Sequence, residues 1–409
     1  MKPLLVCLFA IRLAAAAKDS CLECHSILEG ALQTPAKAYP ADIHSRHGFR
    51  CNGCHGGDPN VDDPGISMSA SRGFVGKPAR AAIPKLCARC HSDATVIHKF
   101  RPQQRIDQLA QYQTSVHGKR LAAGDEAVAT CIDCHSVHDI RETKDPQSPT
   151  YPLRLPQTCA RCHADARHME KYKIATTQFT DYQTSVHWEA LSKGHDLSAP
   201  HCATCHGNHG ATPPQVGSIA DVCGTCHVVF QDLFSNSPHQ APFSGLGACV
   251  VCHSNHAIKR PSVEMLAGST AVCAQCHDEI SAGGKAALEM SALIKSLRES
   301  VQRSDEILER SRSYGMEVSE ALLRQAEAKE NLVKAHVAVH AFSVDAVRKP
   351  VTAGLAVTRE TWNAGEAALR ERDHRRIGLA VSLLFIVITL VGLWLTIRRI
   401  EAKPNTSTA

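Results

Sequence analysis

Aromatic residues make up only 5% of this 409-residue chain, and between residues 18 and 280 no long apolar run recurs at helical or strand spacing. Such a stretch cannot close an ordinary side-chain core, so something other than side chains must supply most of its buried apolar surface. No cysteine is left over for disulfides. Of the 19 present, all fall in one recurring motif except Cys7, which lies in a segment expected to be removed. No excess of positive charge marks a nucleic-acid binder, since the formal net charge is +5. Cysteine is absent again from about Ile280 to Arg376, and charge is absent from Ile377 to Ile397.

The motif is Cys-x-x-Cys-His. It occurs at Cys21, Cys24 and His25; Cys51, Cys54 and His55; Cys87, Cys90 and His91; Cys131, Cys134 and His135; Cys159, Cys162 and His163; Cys202, Cys205 and His206; Cys223, Cys226 and His227; Cys249, Cys252 and His253; and Cys273, Cys276 and His277. This is the attachment signature of c-type haem. Two thiols add to the porphyrin vinyl groups and the adjacent histidine ligates the iron from one face. Nine motifs predict nine covalent haems. A chance match, a redox dithiol or half a zinc site would account for one copy, but not for nine that use every remaining cysteine. A zinc ribbon would not place histidine directly after each pair.

An iron that cycles between Fe(II) and Fe(III) without binding substrate wants a second strong axial ligand, and neutral imidazole supplies one. Further histidines recur in fixed places. Ser-Val-His, then Cys-x-x-Cys-His-x-x-His, then Cys-x-x-Cys-His runs from Ser115 to His163 and again from Ser185 to His227. A later copy holds His239 and His256 and ends at His277. A degenerate copy comes first, with His44 and His47 ahead of Cys51 and with Gly57 and Asp58 following Cys-His-Gly where the other copies have a histidine. The motif at Cys21 stands alone before them all. Repeats of this kind are stacked units, each incomplete without its neighbours.

The pattern resembles the doubled-motif multihaem cytochromes of the cytochrome c3 superfamily, membrane-anchored proteins of anaerobic respiratory chains. The resemblance rests on Cys54-His55-Gly56-Gly57-Asp58-Pro59, the Tyr-Gln-Thr-Ser-Val-His segments at Tyr112 and Tyr182, and Cys205-His206-Gly207-Asn208-His209-Gly210. It implies that His44, His117, His138, His187, His209, His239 and His256 are distal ligands, seven for nine irons. The other two would come from His47, His98, His168, His336 or His340, with His47 and His340 preferred, or one iron stays open. Met68, in the Gly- and Pro-rich stretch from Gly56 to Ile83, is a candidate thioether ligand.

The expected fold is mainly α with much irregular loop: a haem-packed multihaem cytochrome c domain, a long-helix bundle and one C-terminal transmembrane helix. Residues 1–17 read as a signal peptide, 18–280 as the nine-haem domain and 281–376 as about three long helices with breaks at Tyr314-Gly315 and Lys349-Pro350. His336 and His340 are expected four apart on one helical face. Residues 377–397 form the membrane helix and 398–409 a cytoplasmic tail, which places the haem part on the periplasmic side of the inner membrane. Proline-rich stretches around Pro149, Pro152, Pro156 and Pro213 are expected to be linkers.

The function expected is electron relay in anaerobic respiration between a membrane quinol-oxidising subunit, such as a cytochrome b-type partner, and periplasmic redox proteins. The alternative is a reductase or oxidase of nitrite or hydroxylamine type with one open iron. No lysine replaces a motif histidine, as it often does in the nitrite-reducing relatives.

Overall fold

The computed structural model describes residues 18–243, 247–268 and 271–402. Every regular element among the described residues is helical and none is a strand. The signal peptide expected over 1–17, and the end of the tail expected over 398–409, lie outside the described residues. The chain divides into two compact units. One runs to Val222 and takes back His253–Arg260, and the other holds Cys223–Cys252 and everything from Pro261 onward.

The first unit is built of short helices whose starts are set by side-chain caps. Asp19, Asp42, Asp63, Asp93 and Asp165 each accept a backbone N–H of the turn that follows, satisfying donors the helix itself leaves unpaired. Helices this short are marginal on their own. Few large side chains are buried with them, chiefly Ile83, Leu121, Met169, Tyr182 and Leu191. Pro84 and Pro156 sit in the first turns of Ile83–His91 and Leu155–His163, where the fixed φ and missing N–H cost nothing. Pro156 therefore starts a helix rather than marking a linker.

The second unit is dominated by three long helices, Ala282–Ser313, Ser319–Ala338 and Val344–Glu401. Met290, Ile294, Leu297 and Val301 of the first meet Ala328 and Ala335 of the second and Val347, Val351 and Val357 of the third. A second cluster holds Ile307, Leu308, Val318, Ala321 and Leu369. Between them lies a buried polar layer, in which Thr361 Oγ1 donates to Gln325 Oε1 at 2.8 Å, Gln325 Nε2 donates to Val301 O at 3.0 Å, and Ser304 Oγ lies 2.7 Å from Thr361 Oγ1. The first and third helices touch through glycine: a Cβ on Gly365 would stand 2.9 Å from Ile307 Cγ2.

Two expectations need correction here. The second break in the bundle falls at Phe342, with φ of 50°, and at Ser343, which caps the third helix. Pro350 sits inside that helix, which gives up one hydrogen bond there and continues. His336 lies in the last turn of the helix Ser319–Ala338 whereas His340 lies in the 3₁₀ turn Val339–Ala341, so the two do not share one helical face. The third helix also runs without interruption through Ile377–Ile397 to Glu401. Residues 373–402 are all exposed, and the helix is long and apolar enough to cross a membrane.

Candidate haem centres

The first Cys-x-x-Cys-His of each doubled copy forms a single helical turn, as in Asn52–His55, Cys131–His135 and Cys202–His206. The residue after its histidine then takes a left-handed conformation: Gly56, Ser136, Gly207 and Ser254 have φ of 69°, 71°, 76° and 60°. That turn ends the helix and redirects the chain, in the three complete copies toward the histidine three places after the motif histidine. At Gly56 only glycine fits, since a Cβ would stand 1.9 Å from Gly73 O. The second motif of the first two copies ends a nine-residue helix instead, Ile83–His91 and Leu155–His163. Its arginine reaches back to the preceding motif, Arg89 donating to Gly53 O and Cys54 O and Arg161 to Asp133 O.

A Tyr-to-His segment precedes each of the first three copies and works the same way in all of them. Ser115 and Ser185 cap their helices by accepting Gly118 N and Trp188 N and donate to Tyr112 O and Tyr182 O. This holds His117 and His187 in the first helical turn. The tyrosine hydroxyls donate at 2.8 Å to Ala129 O and Pro200 O, two residues before the next motif. Sequence reading missed that the degenerate copy has the same device. Tyr39 OH donates to Phe49 O at 2.7 Å, two residues before Cys51, and Asp42 takes the capping place before His44. The signal was present as a tyrosine five residues ahead of the histidine. Burial pushes the Tyr112 hydroxyl up to about 12 and raises Tyr39 and Tyr182 further.

The histidines meet in pairs. Two imidazoles bound through Nε2 to opposite faces of one metal, at bonds of about 2 Å, hold their ring centres about 6 Å apart. His55 and His138 are 6.1 Å apart, His135 and His209 6.1 Å, and His206 and His256 5.9 Å, with ring planes at 21°, 14° and 20°. His91 and His44 are 6.0 Å apart, His163 and His117 6.2 Å, and His277 and His239 5.9 Å, with planes crossed at 87°, 57° and 80°. The pairs follow a pattern. The first motifs ending at His55, His135 and His206 face the Cys-His-x-x-His histidine of the next copy, and the second motifs ending at His91, His163 and His277 face the histidine that precedes the first motif of their own copy. Backbone bonds lock the same copies together, Ile43 N to Ile140 O and Val186 N to Ile258 O.

The electrostatics suit ligation. Burial lowers the pKa of His91, His117, His138, His163, His206, His209, His239 and His256. It takes His135 down to about 4, with His209 and His91 adding to the effect. Neutral imidazole is the form that binds iron. Several rings are also aimed through Nδ1, by Gly76 O for His55 at 2.8 Å, Leu32 O for His25 at 3.0 Å, Asp42 Oδ1 for His44 at 2.9 Å and Val337 O for His340 at 3.1 Å. With Nδ1 so engaged, Nε2 is the nitrogen that would ligate an iron. The thiols of Cys87 and Cys131 lie beside one another, as do those of Cys159 and Cys202, so the second attachment point of one copy adjoins the first of the next. The spacing of the rings, the neutral imidazoles and the thin side-chain core all fit haem.

The remaining candidates are placed as follows. His47 stands edge-on to Phe100 at 5.0 Å, His98 Nε2 lies 3.1 Å from Gln104 O, and His168 faces Tyr172 at 5.9 Å. None of the three is brought opposite a motif histidine. His336 Nε2 lies 3.4 Å from Arg298. Phe230 packs edge-on against both His227, at 5.7 Å, and His340, at 4.9 Å, and His340 feels the charge of His227. All 24 histidines of the sequence lie within the described residues, and none faces His25.

The family model described as cytochrome c3 matches residues 43–164 and 194–278, which together make up half of the chain. No curated protein and no solved structure matches it.

Proposed function

The chain belongs to the cytochrome c3 family of multihaem electron-transfer cytochromes, and on that footing we propose that it holds nine covalent c-type haems and relays electrons at the outer face of a membrane. The six histidine pairs carry this reading. Each presents two imidazoles at the spacing that one iron requires, and His187 and His340 are the donors proposed for two of the remaining irons. When bound, haem supplies one-electron exchange between Fe(III) and Fe(II). The chain's part is to hold and orient. The paired cysteines fix each porphyrin edge, the Nδ1 partners set ring orientation, and the caps and tyrosine anchors keep the distal histidines in register.

The apolar run Ile377–Ile397 has no ionisable residue and no histidine to hold a further haem, so it would anchor rather than conduct. Quinol oxidation then falls to a separate membrane subunit, such as a cytochrome b-type protein, and the acceptors are periplasmic redox proteins. The attachment of c-type haem outside the cytoplasm and the basic Arg398 and Arg399 beyond the apolar run support that orientation. The test is turnover of a menaquinol analogue by the full-length protein purified alone. Fast reduction by small-molecule donors with slow quinol oxidation is expected. Quinol oxidation at respiratory rates without a partner would overturn the relay reading and make His336 and His340 the first residues to examine as a quinol site.

A further inference from the structure

The motif at Cys21, Cys24 and His25 lies outside the doubled copies. By the pairing rule its distal donor belongs three residues after the motif histidine of the next copy. That place is Asp58, where the others have His138, His209 and His256. Asp58 is not disposed as a ligand. Its Oδ1 accepts Asn60 N at 3.1 Å and Asn60 Nδ2 at 3.3 Å, and its Oδ2 lies 3.4 Å from Arg72.

The chain compensates nearby. The lone helix Ser20–Ile27 is tied to the turn after Asp58, with Ser20 N donating to Pro59 O at 2.9 Å and Ser20 Oγ to Val61 O at 2.8 Å. On its other side the same turn is tied to Ser67, whose carbonyl accepts Asp58 N at 2.9 Å. The approach is so close that a Cβ on Gly57 would stand 2.5 Å from Ser67 O. The residue after Ser67 is Met68, an apolar side chain left 41% exposed. The chain at Met68 is thereby held next to Asp58, the position where the complete copies carry histidine.

We propose that Met68 is the distal ligand of the haem held by His25. The inference rests on the haem reading above. It makes this centre unlike the others: thioether stabilises Fe(II) relative to imidazole, so its potential is the highest of the set. Electrons entering at lower-potential haems would collect there, at the N-terminal motif, before leaving for a soluble acceptor.

The experiment is near-infrared magnetic circular dichroism and potentiometry of the fully haem-loaded, oxidised protein and of its variants. One haem in nine is expected to show the sulfur-to-iron charge-transfer band of His/Met ligation and to titrate above the rest. Met68→Leu should abolish the band and make one reduced haem bind carbon monoxide, whereas Met68→His should abolish it without creating a carbon monoxide site. Deleting the haem with C21S/C24S should remove the band and leave the other signals in place, which identifies the centre even if the Met68 variants fold poorly. No band in the wild type, or a band that survives C21S/C24S, overturns the proposal. A high-spin haem in the wild type overturns it in favour of an open iron. If the bis-histidine bands of the other haems were also missing, the failure would lie with the haem reading itself.

Discussion

Replacing His209 by alanine removes a ring that stands 6.1 Å from His135 and nearly parallel to it. Two effects follow with sizes set by the structure. First, one iron loses a strong-field ligand. The three pairs that join successive copies have nearly aligned planes, whereas the three within copies are crossed. Aligned imidazoles act on the same iron d orbital and split the two π levels, while crossed ones act on both alike. The oxidised wild type should therefore show two families of low-spin electron paramagnetic resonance signals, rhombic and strongly anisotropic. His209→Ala should take one haem equivalent from the rhombic family, add one equivalent of high-spin signal and raise that haem's potential. Second, an iron bridge between His135 and His209 closes a loop of roughly 75 residues, and losing it gives back about 4 kcal/mol of chain entropy. For a unit of this size that lowers Tm by roughly 10 °C. The control is His195→Asn, because His195 lies in a loop with φ of 52°, a conformation asparagine tolerates. If both variants show the same spin states, or if His209→Ala depletes the anisotropic family, the pairing is refuted.

Tyr182→Phe should cost about 1 kcal/mol through loss of the hydrogen bond to Pro200 O, read as a lower Tm with haem content unchanged. Gln325→Leu should cost about 1 kcal/mol, since it removes the buried side-chain bonds to Val301 O and from Thr361 Oγ1 while both atoms keep other partners; denaturant unfolding of the apolar-run-deleted protein measures it. Truncation before Ile377 should release a protein that no longer partitions into membranes, has unchanged visible spectra and has lost respiratory coupling. Membrane fractionation and quinol-driven reduction in vesicles check this.

Much of this was legible because the chemistry is local. Cys-x-x-Cys-His puts three attachment atoms within five residues, and the absence of any strand or long apolar period before residue 280 already implied short helices around something other than side chains. The three-helix period was equally plain in Leu297, Val301, Ile307 and Leu308. Pairing was not legible, because it is a relation between copies. The sequence places His138 beside His135, yet the fold turns it toward His55 of the preceding copy and gives His135 to His209 of the following one. The equivalence of Tyr39 and Asp42 to Tyr112 and Ser115 was hidden by substitution, since aspartate and serine cap helices by the same bond but do not look alike in a repeat. Pro350 misled for the opposite reason. A proline usually ends a helix, but packing of Val347 and Val351 at 0% and 1% exposure outweighs one lost hydrogen bond.

The central claim is that every Cys-x-x-Cys-His in this chain holds a haem, and the mass of the intact mature protein tests it most directly. The account predicts one species carrying nine covalent haems, with all 18 cysteines from Cys21 to Cys276 consumed as thioethers and no zinc retained. A mature, soluble protein with fewer haems, with thiols still reactive at any of the nine motifs or with stoichiometric zinc would contradict it.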